Sequence, residues 1–334
     1  MPDVILLGDI NIDVSAAIPA YPSRGGEGVA TSVEYHTGGS VVTTSLALAN
    51  IGADVGVIGR IGNDALARQV IADLKKIGVD RSQIQIDEVV STGLIYIVVN
   101  PDGERTMFSS RGANVFTVPQ ETWVDYFSSA RWYHFSGYAL MAQPQHDAAV
   151  HALELARQNF CRVSLDPNPE PAMRYGKRLK SLLPKIDVFL PNEQELMMLT
   201  GLTSFEDALK ALLDIGAKAV VVKRGAKGCT VVHSEDRYDI PGFGIHVRDT
   251  TGAGDSFNAG VLLARTVGLD WAAAGILGNT LGAIASSVQG SGAAQVNPNT
   301  AIDLIEANMF KPEWKEWHWA IEQVLAYLAE TQAL

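Results

Sequence analysis

A chain of 334 residues with a formal net charge of −11 and no cluster of basic residues lacks the cationic surface that a nucleic-acid-binding protein needs. Its composition, 47% hydrophobic and 19% charged, is that of a folded globular protein, which excludes a disordered chain and allows one large α/β domain or two smaller ones. No apolar stretch approaches the length of a membrane span, so we expect no membrane partner.

Short apolar runs rich in β-branched residues alternate with longer helical patterns along most of the chain. Five runs are too apolar for half-exposed strands and are predicted as buried strands of a parallel sheet, at residues 4–7, 55–58, 162–165, 188–190 and 219–222. Amphipathic patterns predict helices at residues 64–77 and 146–158, and the tryptophan-rich residues 310–334 are expected to pack against the body or a second subunit. The predicted fold class is α/β: a doubly wound, mostly parallel central sheet with helices on both faces.

Two segments, residues 28–36 and 92–110, interrupt this alternation with partial two-residue periodicity. The second contains the turn sequence 100–103, which is typical of a hairpin. Strands that pair outside the parallel sheet predict a small β-sheet lid, able to exclude water from a reaction. We expect a β-lid of residues 14–37 and 91–111 on a main nucleotide- and substrate-binding domain of residues 1–13, 38–90 and 112–334.

The cysteines and the amino terminus bear on the compartment. Cys161 and Cys229 each stand alone in an apolar, strand-like run, which favours buried structural thiols over a disulfide framework or a zinc site. The amino terminus has no basic leader, and its apolar run is too short for a signal peptide. Together these features predict a cytoplasmic protein.

A glycine-rich run at residues 249–255, followed by a helical pattern at 261–267, is the strongest chemical signal. Gly252 and Gly254 let the backbone approach a ligand closely, and the amides of the next helix's first turn favour negative charge. We therefore expect the amides of Gly252, Ala253, Gly254 and Asp255 to form an anion hole for a phosphoryl group in transfer.

Asp255 stands where a carboxylate could remove a proton from a substrate hydroxyl. Because a helix N-terminus lowers the pKa of a carboxyl group, we expect Asp255 to stay ionised. A glycine-rich turn with Asp255 as an ordinary N-cap explains the same pattern without any ligand.

Residues 249–260 resemble the second signature of the ribokinase family, also called the PfkB carbohydrate kinases, whose members phosphorylate sugars, nucleosides and related alcohols. Several further motifs follow the family's order along the chain. The resemblance implies a ribokinase-like fold, ATP and Mg²⁺ as cofactors, and Asp255 as the general base that accepts the proton of a hydroxyl, expected to be a primary one. Lid strands often mediate pairing in this family, so we also expect a homodimer through the lid.

The resemblance also implies a substrate site. An Asn and an Asp follow the first strand, a glycine pair resembles the family's first signature, and an Arg after the lid resembles one that reaches toward the substrate in acid-sugar kinases. The Asp-Pro-Asn sequence at 166–168 lacks the following Arg expected in ketodeoxygluconate kinases and many fructokinases. The implied substrate residues are Asn11, Asp13, Gly38, Gly39, Arg111 and Asp166.

For the nucleotide and metals, the resemblance points to the second half of the chain. Asn192 and Glu195 match an Asn-x-x-Glu motif implicated in placing magnesium, with Glu195 acting through water, although the same pair forms a capping box. The implied nucleotide residues are Asn192, Lys223, Gly225, Gly228 and Asn279. A potassium site, as in potassium-stimulated members, would use Asp249 and Thr251 with carbonyls near Ala285, Val288 and Gly290.

Other enzyme classes on a doubly wound sheet are excluded by missing motifs. A dinucleotide-dependent oxidoreductase needs Gly-x-Gly-x-x-Gly after the first strand, and a P-loop kinase needs Gly-x4-Gly-Lys-Ser/Thr; the chain has neither. Two alternatives to a sugar kinase stay open: a nucleoside kinase of the same family, and a catalytically silent sugar- or nucleotide-binding protein on the same fold.

Overall fold

The computed structural model describes residues 1–101, 104–290 and 292–332. Within them the chain forms thirteen strands: β1 (Val4–Leu7), β2 (Asn11–Ala17), β3 (Ser32–Gly38), β4 (Val55–Gly62), β5 (Ile84–Asp87), β6 (Gly93–Val99), β7 (Arg105–Ser110), β8 (Trp132–Ser136), β9 (Arg162–Asp166), β10 (Val188–Phe189), β11 (Ala219–Lys223), β12 (Cys229–His233) and β13 (Asp236–Ile240). The same residues form twelve α-helices: α1 (Ser40–Asn50), α2 (Ala65–Lys76), α3 (Trp123–Tyr126), α4 (Gln145–Gln158), α5 (Pro169–Arg174), α6 (Gly176–Leu182), α7 (Glu193–Thr200), α8 (Phe205–Ile215), α9 (Ala253–Thr266), α10 (Trp271–Ser286), α11 (Pro298–Glu306) and α12 (His318–Gln332). None of these helices is long and apolar enough to cross a bilayer.

Nine strands form one large sheet in the order β13-β12-β11-β10-β9-β8-β1-β4-β5. The pairs from β11 to β5 are parallel, whereas β12 and β13 extend the sheet as antiparallel strands. All five predicted strands are present, although β10 ends at Phe189, one position before its predicted end. The predicted mostly parallel sheet is confirmed.

Helices cover both faces of this sheet because successive residues of its buried strands point to opposite sides. In β1, Val4 and Leu6 join a buried cluster with α9, α10 and α12, whereas Ile5 and Leu7 join a second cluster with α4, α7 and α8. Removal of these apolar side chains from water, at roughly 25 cal/mol per Å², is the main stabilisation of the layered fold. The doubly wound α/β prediction is thereby confirmed.

The other four strands form a separate small sheet in the order β3-β2-β6-β7. Strand β2 pairs antiparallel with β3 and parallel with β6, and β6 pairs antiparallel with β7. At the predicted hairpin turn, the Asn100 amide donates to the Glu104 carbonyl at 2.9 Å, while residues 102 and 103 of that turn lie outside the described residues. One face of this sheet borders a narrow crevice of about 40 Å³, whose opposite wall includes Asp249 and Thr251.

The tryptophan-rich carboxy-terminal segment packs against the body. Trp314, Ile321 and Val324 are buried in the cluster that covers the α9/α10 side of the large sheet. The Trp314 ring stacks on Phe243 with centroids 4.4 Å apart and planes 23° apart. The described part of this segment therefore packs against the body of the protein, the first of the two roles expected from the sequence.

Candidate active site

The candidate residues gather at the carboxyl ends of the parallel strands. The chain passes from β1 to β4 on one side and later returns to β8 on the other, and ligands of such sheets bind outside the carboxyl ends where strand order reverses. Asn11 begins β2 shortly after β1, Asp166 ends β9, Asn192 follows β10 and Lys223 ends β11. Residues that are far apart in sequence thus share one edge of the sheet.

Helix α9 presents its N-terminus at this edge. Gly252 is the N-cap, with φ of 74°, a left-handed conformation that favours glycine, and Asp255 is the third residue of the helix, within its first turn, rather than the cap. The Ala253 amide donates to the Thr250 carbonyl at 3.2 Å. Within the described chain, no hydrogen-bond acceptor is assigned to the amides of Gly252, Gly254 and Asp255. These three are the donors available to an anion, whereas the predicted fourth, Ala253, is committed to the turn.

The expectation that Asp255 has a lowered pKa is wrong. Burial and, after it, the carboxylate of Asp166 raise the pKa of Asp255 to about 8, against the opposing charge of Lys223. Glu195 and Asp13 add smaller repulsions. Desolvation and the neighbouring carboxylates therefore outweigh the helix N-terminus, which was the only influence visible in the local sequence.

Asp166 and Lys223 form a buried ion pair beneath α9. The Asp166 Oδ2 accepts hydrogen bonds from Lys223 Nζ at 2.8 Å and from Asn258 Nδ2 at 2.5 Å. The Asn258 Oδ1 accepts a longer bond from the same ammonium, at 3.3 Å. Asp166, a predicted substrate residue, is only 3% exposed, and one of its oxygens is fully engaged by protein donors.

Asn192 and Glu195 form the capping box of α7. The Asn192 Oδ1 accepts from the Glu195 amide at 2.8 Å, and the Glu195 Oε2 accepts from the Asn192 amide at 2.7 Å. Burial raises the pKa of Glu195 to about 7, and the charge of Asp166 contributes in the same direction. Glu195 therefore caps a helix through Oε2 and also lies within the electrostatic reach of Asp166 and Lys223.

Asn114 holds the segment between β1 and β2 in place. Its Oδ1 accepts from the Ile10 amide at 2.7 Å, and its Nδ2 donates to Asn11 Oδ1 at 2.8 Å and to the carbonyls of Ile10 and Arg111. Asn11 is therefore fixed through its oxygen, and its amide nitrogen has no acceptor assigned in the described chain. Asn114 was not predicted from the sequence, because nothing local marks an asparagine that pairs with residues a hundred positions away.

Gly38 and Gly39 make room for Asp13 and for the turn after β1. A Cβ on Gly38 would lie 2.3 Å from Asp13 Oδ2, and one on Gly39, where φ is 98°, would lie 2.1 Å from the Asp9 carbonyl oxygen. Burial raises the pKa of Asp13 to about 6. Its Oδ1 is enclosed and has no hydrogen-bond partner among the described residues. An enclosed, unpartnered carboxylate oxygen is suited to accept a hydrogen bond from a substrate hydroxyl.

Arg111 is bound within the protein. Its Nε and Nη2 donate to the two carboxylate oxygens of Asp9, each at 2.7 Å, and Nη2 also reaches the Tyr138 carbonyl and Gln145. This paired geometry satisfies most of the guanidinium and compensates its charge. Nη1 is the part of Arg111 with no acceptor assigned among the described residues.

A cavity of about 440 Å³ adjoins the N-terminus of α9, and none of its described lining residues belongs to the small sheet. Four of the five predicted nucleotide residues line it: Lys223, Gly225, Gly228 and Asn279. The fifth, Asn192, is not among the lining residues. Sequence analysis missed the apolar walls, Phe243 and Phe257, and also Glu313 from the carboxy-terminal segment. Phe243 stands alone in a loop and Phe257 lies inside α9, where nothing in the local sequence pattern distinguishes a cavity wall from a core position.

Two of the residues predicted for a potassium ion, Thr251 and Gly290, donate hydrogen bonds to Asp249, whereas no hydrogen bond of Asp249 with Ala285 or Val288 is found among the described residues. The Asp249 Oδ1 accepts from Thr251, through both amide and hydroxyl, and from Arg105 Nη1 at 2.7 Å. Its Oδ2 accepts from the Gly290 amide at 3.1 Å. Arg105, which sequence analysis did not assign, thus lies among the predicted cation ligands, and a lone arginine after a turn gave no sign of this role.

Comparison with known proteins agrees with this geometry. Residues 1–299 match the pfkB family carbohydrate kinase model. Fructokinase-2 of Solanum lycopersicum is 30% identical over 238 residues, 69% of this chain and 72% of that protein. The ATP-dependent ribose-1-phosphate kinase of Halopiger xanaduensis is 30% identical over 311 residues, 92% of this chain and 99% of that protein.

A solved structure supports the fold. The putative ribokinase II from E. coli, in complex with ATP and Mg²⁺, superposes with a TM-score of 0.82 at 22% identity, covering 92% of this chain and 100% of that one. Identity at that level supports the ribokinase-like fold alone. The match over residues 1–299, joined to this fold, shows that the chain belongs to the pfkB family of carbohydrate kinases, which are phosphotransferases.

Proposed function

We propose that this protein transfers the γ-phosphoryl group of Mg·ATP to a hydroxyl, expected to be primary, of a small uncharged sugar. The observation that carries the proposal is the position of the first turn of α9. Its residues Ala253 and Gly254 line the 440 Å³ cavity, while Asp255 in the same turn lies within the electrostatic reach of Asp13 in the crevice. One helix terminus therefore serves both the phosphoryl donor and the acceptor.

The nucleotide fits the larger cavity. Its volume of about 440 Å³ lies within the range of small-molecule sites, and its walls combine aromatic faces with the amide of Asn279 and the ammonium of Lys223. A Cβ on Gly254 would lie 3.7 Å from Lys223 Nζ, so the ammonium stands beside the helix terminus where phosphates would enter. The anionic end of ATP is then directed toward α9 and its base toward Phe243.

Magnesium fits the carboxylate cluster as a partner carried in with ATP. Within the described ranges no three acidic, histidine or cysteine side chains converge into a direct metal site. Asp166, Glu195 and Asp255 nevertheless share the single ammonium of Lys223, which leaves negative charge for a cation held through water and phosphate oxygens. Bound there, Mg²⁺ would neutralise charge on the transferring phosphoryl group.

In the proposed mechanism, Asp13 and Asn11 orient the sugar, and Asp255 accepts the proton of its hydroxyl. The hydroxyl oxygen then forms a bond to the γ-phosphorus as the bond to the β-phosphate bridging oxygen breaks, and ADP leaves. The amides of Gly252, Gly254 and Asp255 stabilise the charge on the phosphoryl oxygens. Asp255 acts in its ionised form, so its raised pKa limits activity at low pH.

An uncharged acceptor is favoured by the charges along the crevice. Asp13 and Glu34 line it, Arg105 there is paired with Asp249, and Arg111 nearby is paired with Asp9. A carboxylate or phosphate on the sugar would meet two carboxylates and no uncommitted arginine among these described residues. Of the relatives, a fructokinase would have an uncharged sugar, whereas the ribose-1-phosphate kinase is named for a phosphorylated one.

The test is turnover of Asp255→Asn with a panel of sugars, sugar acids, sugar phosphates and nucleosides. We expect the wild type to release ADP with an uncharged sugar, and the variant to bind ATP normally while kcat falls by ~10²–10⁴-fold. Asp303→Asn, an exposed residue of α11, is the matched control and should leave kcat unchanged. Near-normal kcat in Asp255→Asn would refute the base, and nucleoside turnover or binding without turnover would favour one of the two alternatives.

We also propose that the small sheet acts as a lid and pairs with the lid of a second copy. Strand register places Tyr35, Val14, Tyr96 and Phe108 in one row on the face opposite the crevice, and Tyr35, Tyr96 and Phe108 are each more than half exposed. An exposed aromatic row on an open sheet is typical of an interface.

Light scattering after size exclusion tests the pairing. We expect a dimer for the wild type and a monomer for Phe108→Glu. Val89→Glu, which places the same charge at an exposed loop position, should remain dimeric. A monomeric wild type, or a dimeric Phe108→Glu, would contradict pairing through the lid.

A further inference from the structure

Arg105 connects the small sheet to the loop that carries the anion hole. It is the first residue of β7, and its Nη1 donates to Asp249 Oδ1 at 2.7 Å while its Nη2 donates to Thr250 Oγ1 at 3.3 Å. The pair is partly sheltered, with side-chain exposures of 24% for Arg105 and 10% for Asp249. A charge-assisted bond in a partly desolvated setting is stronger than a surface ion pair.

The two residues that Arg105 holds face different ligand sites. Thr250 lines the 440 Å³ cavity, and Asp249 lines the crevice together with Arg105 itself. The Thr250 carbonyl in turn accepts the Ala253 amide at the first turn of α9. The guanidinium therefore fixes the segment whose conformation orients the free amides of the anion hole.

A potassium ion does not fit beside Asp249 in this arrangement. Both carboxylate oxygens already accept protein hydrogen bonds, and the carboxylate's charge is compensated by a guanidinium rather than by an ion. A Cβ on Gly292 would lie only 2.2 Å from the Ala285 carbonyl oxygen, so that predicted ligand is closely covered by backbone. Arg105 of β7 thus places a positive charge at Asp249, where the resemblance implies a bound cation.

We propose that Arg105 is a positioning residue that replaces a monovalent cation at Asp249, so that phosphoryl transfer proceeds without potassium. This inference rests on the proposed kinase function for its kinetic consequences. It also couples the small sheet to the anion hole, because the cation equivalent is carried on β7 and reaches Asp249 only when the sheet lies over the crevice. A free ion would provide no such link.

The first experiment measures initial rates with the preferred sugar and Mg·ATP while KCl replaces choline chloride at constant ionic strength. We expect the wild type to show the same kcat at every potassium concentration. We expect Arg105→Gln to lose ~10–100-fold in kcat in choline, the effect of one charge-assisted bond of about 1.5–3 kcal/mol, and to recover part of that loss in potassium. Recovery by an ion is a result that a merely structural role of Arg105 would not give.

Two further variants complete the design. Arg105→Lys keeps the positive charge and should stay insensitive to potassium, although its single ammonium cannot bond both Asp249 and Thr250. Arg237→Gln removes an arginine that pairs with Glu206 and Asp239 at the far edge of the large sheet, and should behave as the wild type. A wild type that potassium activates several-fold overturns the proposal without any variant, as does an Arg105→Gln enzyme with normal kcat in choline.

A second readout needs no turnover and separates this inference from the proposed function. Thermal unfolding in choline and in potassium should give the same Tm for the wild type, and a higher Tm in potassium for Arg105→Gln alone. If no sugar is phosphorylated but the Tm pattern holds, the kinase proposal fails and the role of Arg105 as a cation substitute stands. If the wild-type Tm rises specifically with potassium, the Arg105 proposal fails whatever the activity.

Discussion

Lys223 Nζ lies 2.8 Å from Asp166 Oδ2, although β9 and β11, which carry the two residues, are separated in the sheet by β10. The Lys223 side chain is long enough for its ammonium to reach across the carboxyl end of the intervening strand β10. The charges of Glu195 and Asp255 act on the same ammonium. One cation therefore balances three carboxylates at the centre of the candidate site.

This imbalance predicts a rise of activity with pH. Asp255 must be ionised to accept a proton, and burial together with Asp166 raises its pKa to about 8. Since the ionised fraction grows as pH increases through the pKa, kcat/KM should rise between about pH 7 and pH 9 and then level off. Initial rates in overlapping buffers of constant ionic strength measure the profile, and a profile that is flat from pH 6 upward would contradict it.

Replacement of Lys223 by Met should move that profile to higher pH. Loss of the ammonium removes a charge that lowers the pKa of Asp255, so the midpoint of kcat/KM should shift upward, and the broken buried pair should cost about 3–5 kcal/mol of stability. Chemical denaturation measures the second effect. Lys227→Met, at a side chain 66% exposed, is the control and should change neither quantity. An unchanged midpoint in Lys223→Met would show that the ammonium does not act on the base.

Gly38→Ala should weaken sugar binding selectively. The added Cβ would lie 2.3 Å from Asp13 Oδ2, so the carboxylate must move away from the position in which it faces the crevice. We expect KM for the sugar to rise by about tenfold or more, equivalent to one lost hydrogen bond to a charged group, with KM for ATP unchanged. Gly176→Ala, whose Cβ would have no neighbour closer than 3.6 Å, is the matched control. An equal rise in both KM values would point to general disruption instead.

His134 should make the fold sensitive to acid. It is buried, its Nδ1 lies 2.9 Å from Ser164 Oγ, and burial lowers its pKa from 6.5 to about 4. Between pH 4 and pH 6.5 the folded state therefore binds fewer protons than the unfolded state. The free energy of unfolding is thus fully retained above about pH 6.5 and decreases as pH falls toward 4. At about 1.4 kcal/mol per unit for one proton, the loss amounts to ~3 kcal/mol.

Urea denaturation between pH 4 and 7 measures this dependence. His134→Gln should show a shallower loss of unfolding free energy with acid than the wild type, whereas His246→Gln, at an exposed position, should follow the wild-type slope. Because Asp13 and the other carboxyl groups titrate in all three proteins, the difference between the slopes isolates His134. Equal slopes in the wild type and His134→Gln would contradict the assignment.

The sequence predicted the elements whose burial is uniform and missed those whose composition is mixed. Strands such as β1 and β11 are continuous apolar runs, so their pattern alone identifies them. Strand β8 is equally buried but includes a histidine and a serine, and β5 is a partly exposed edge strand, so neither stands out. Both are recognised as strands only from their pairing with neighbouring strands in the folded sheet.

The sequence predicted those features of the site that depend on local backbone conformation. It did not predict those that depend on charges from distant parts of the chain. Gly39, Gly252 and the capping pair at α7 follow from local backbone geometry. The pKa of Asp255 does not, because Asp166 and Lys223 come from other strands. The same holds for Arg105, whose partner Asp249 lies far along the chain. Long-range electrostatics is therefore the part of the site that required the folded chain.

The stacking of Trp314 on Phe243 bears on the order in which the protein is completed during synthesis. Phe243 lines the large cavity, and Trp314 and Glu313 come from a segment beyond the family match, which ends at residue 299. During synthesis this segment leaves the ribosome after every described strand of both sheets. The crevice around Asp13 can therefore form on the nascent chain before Glu313 joins the cavity wall, so a chain terminated before residue 313 would carry the crevice beside a cavity with one wall open.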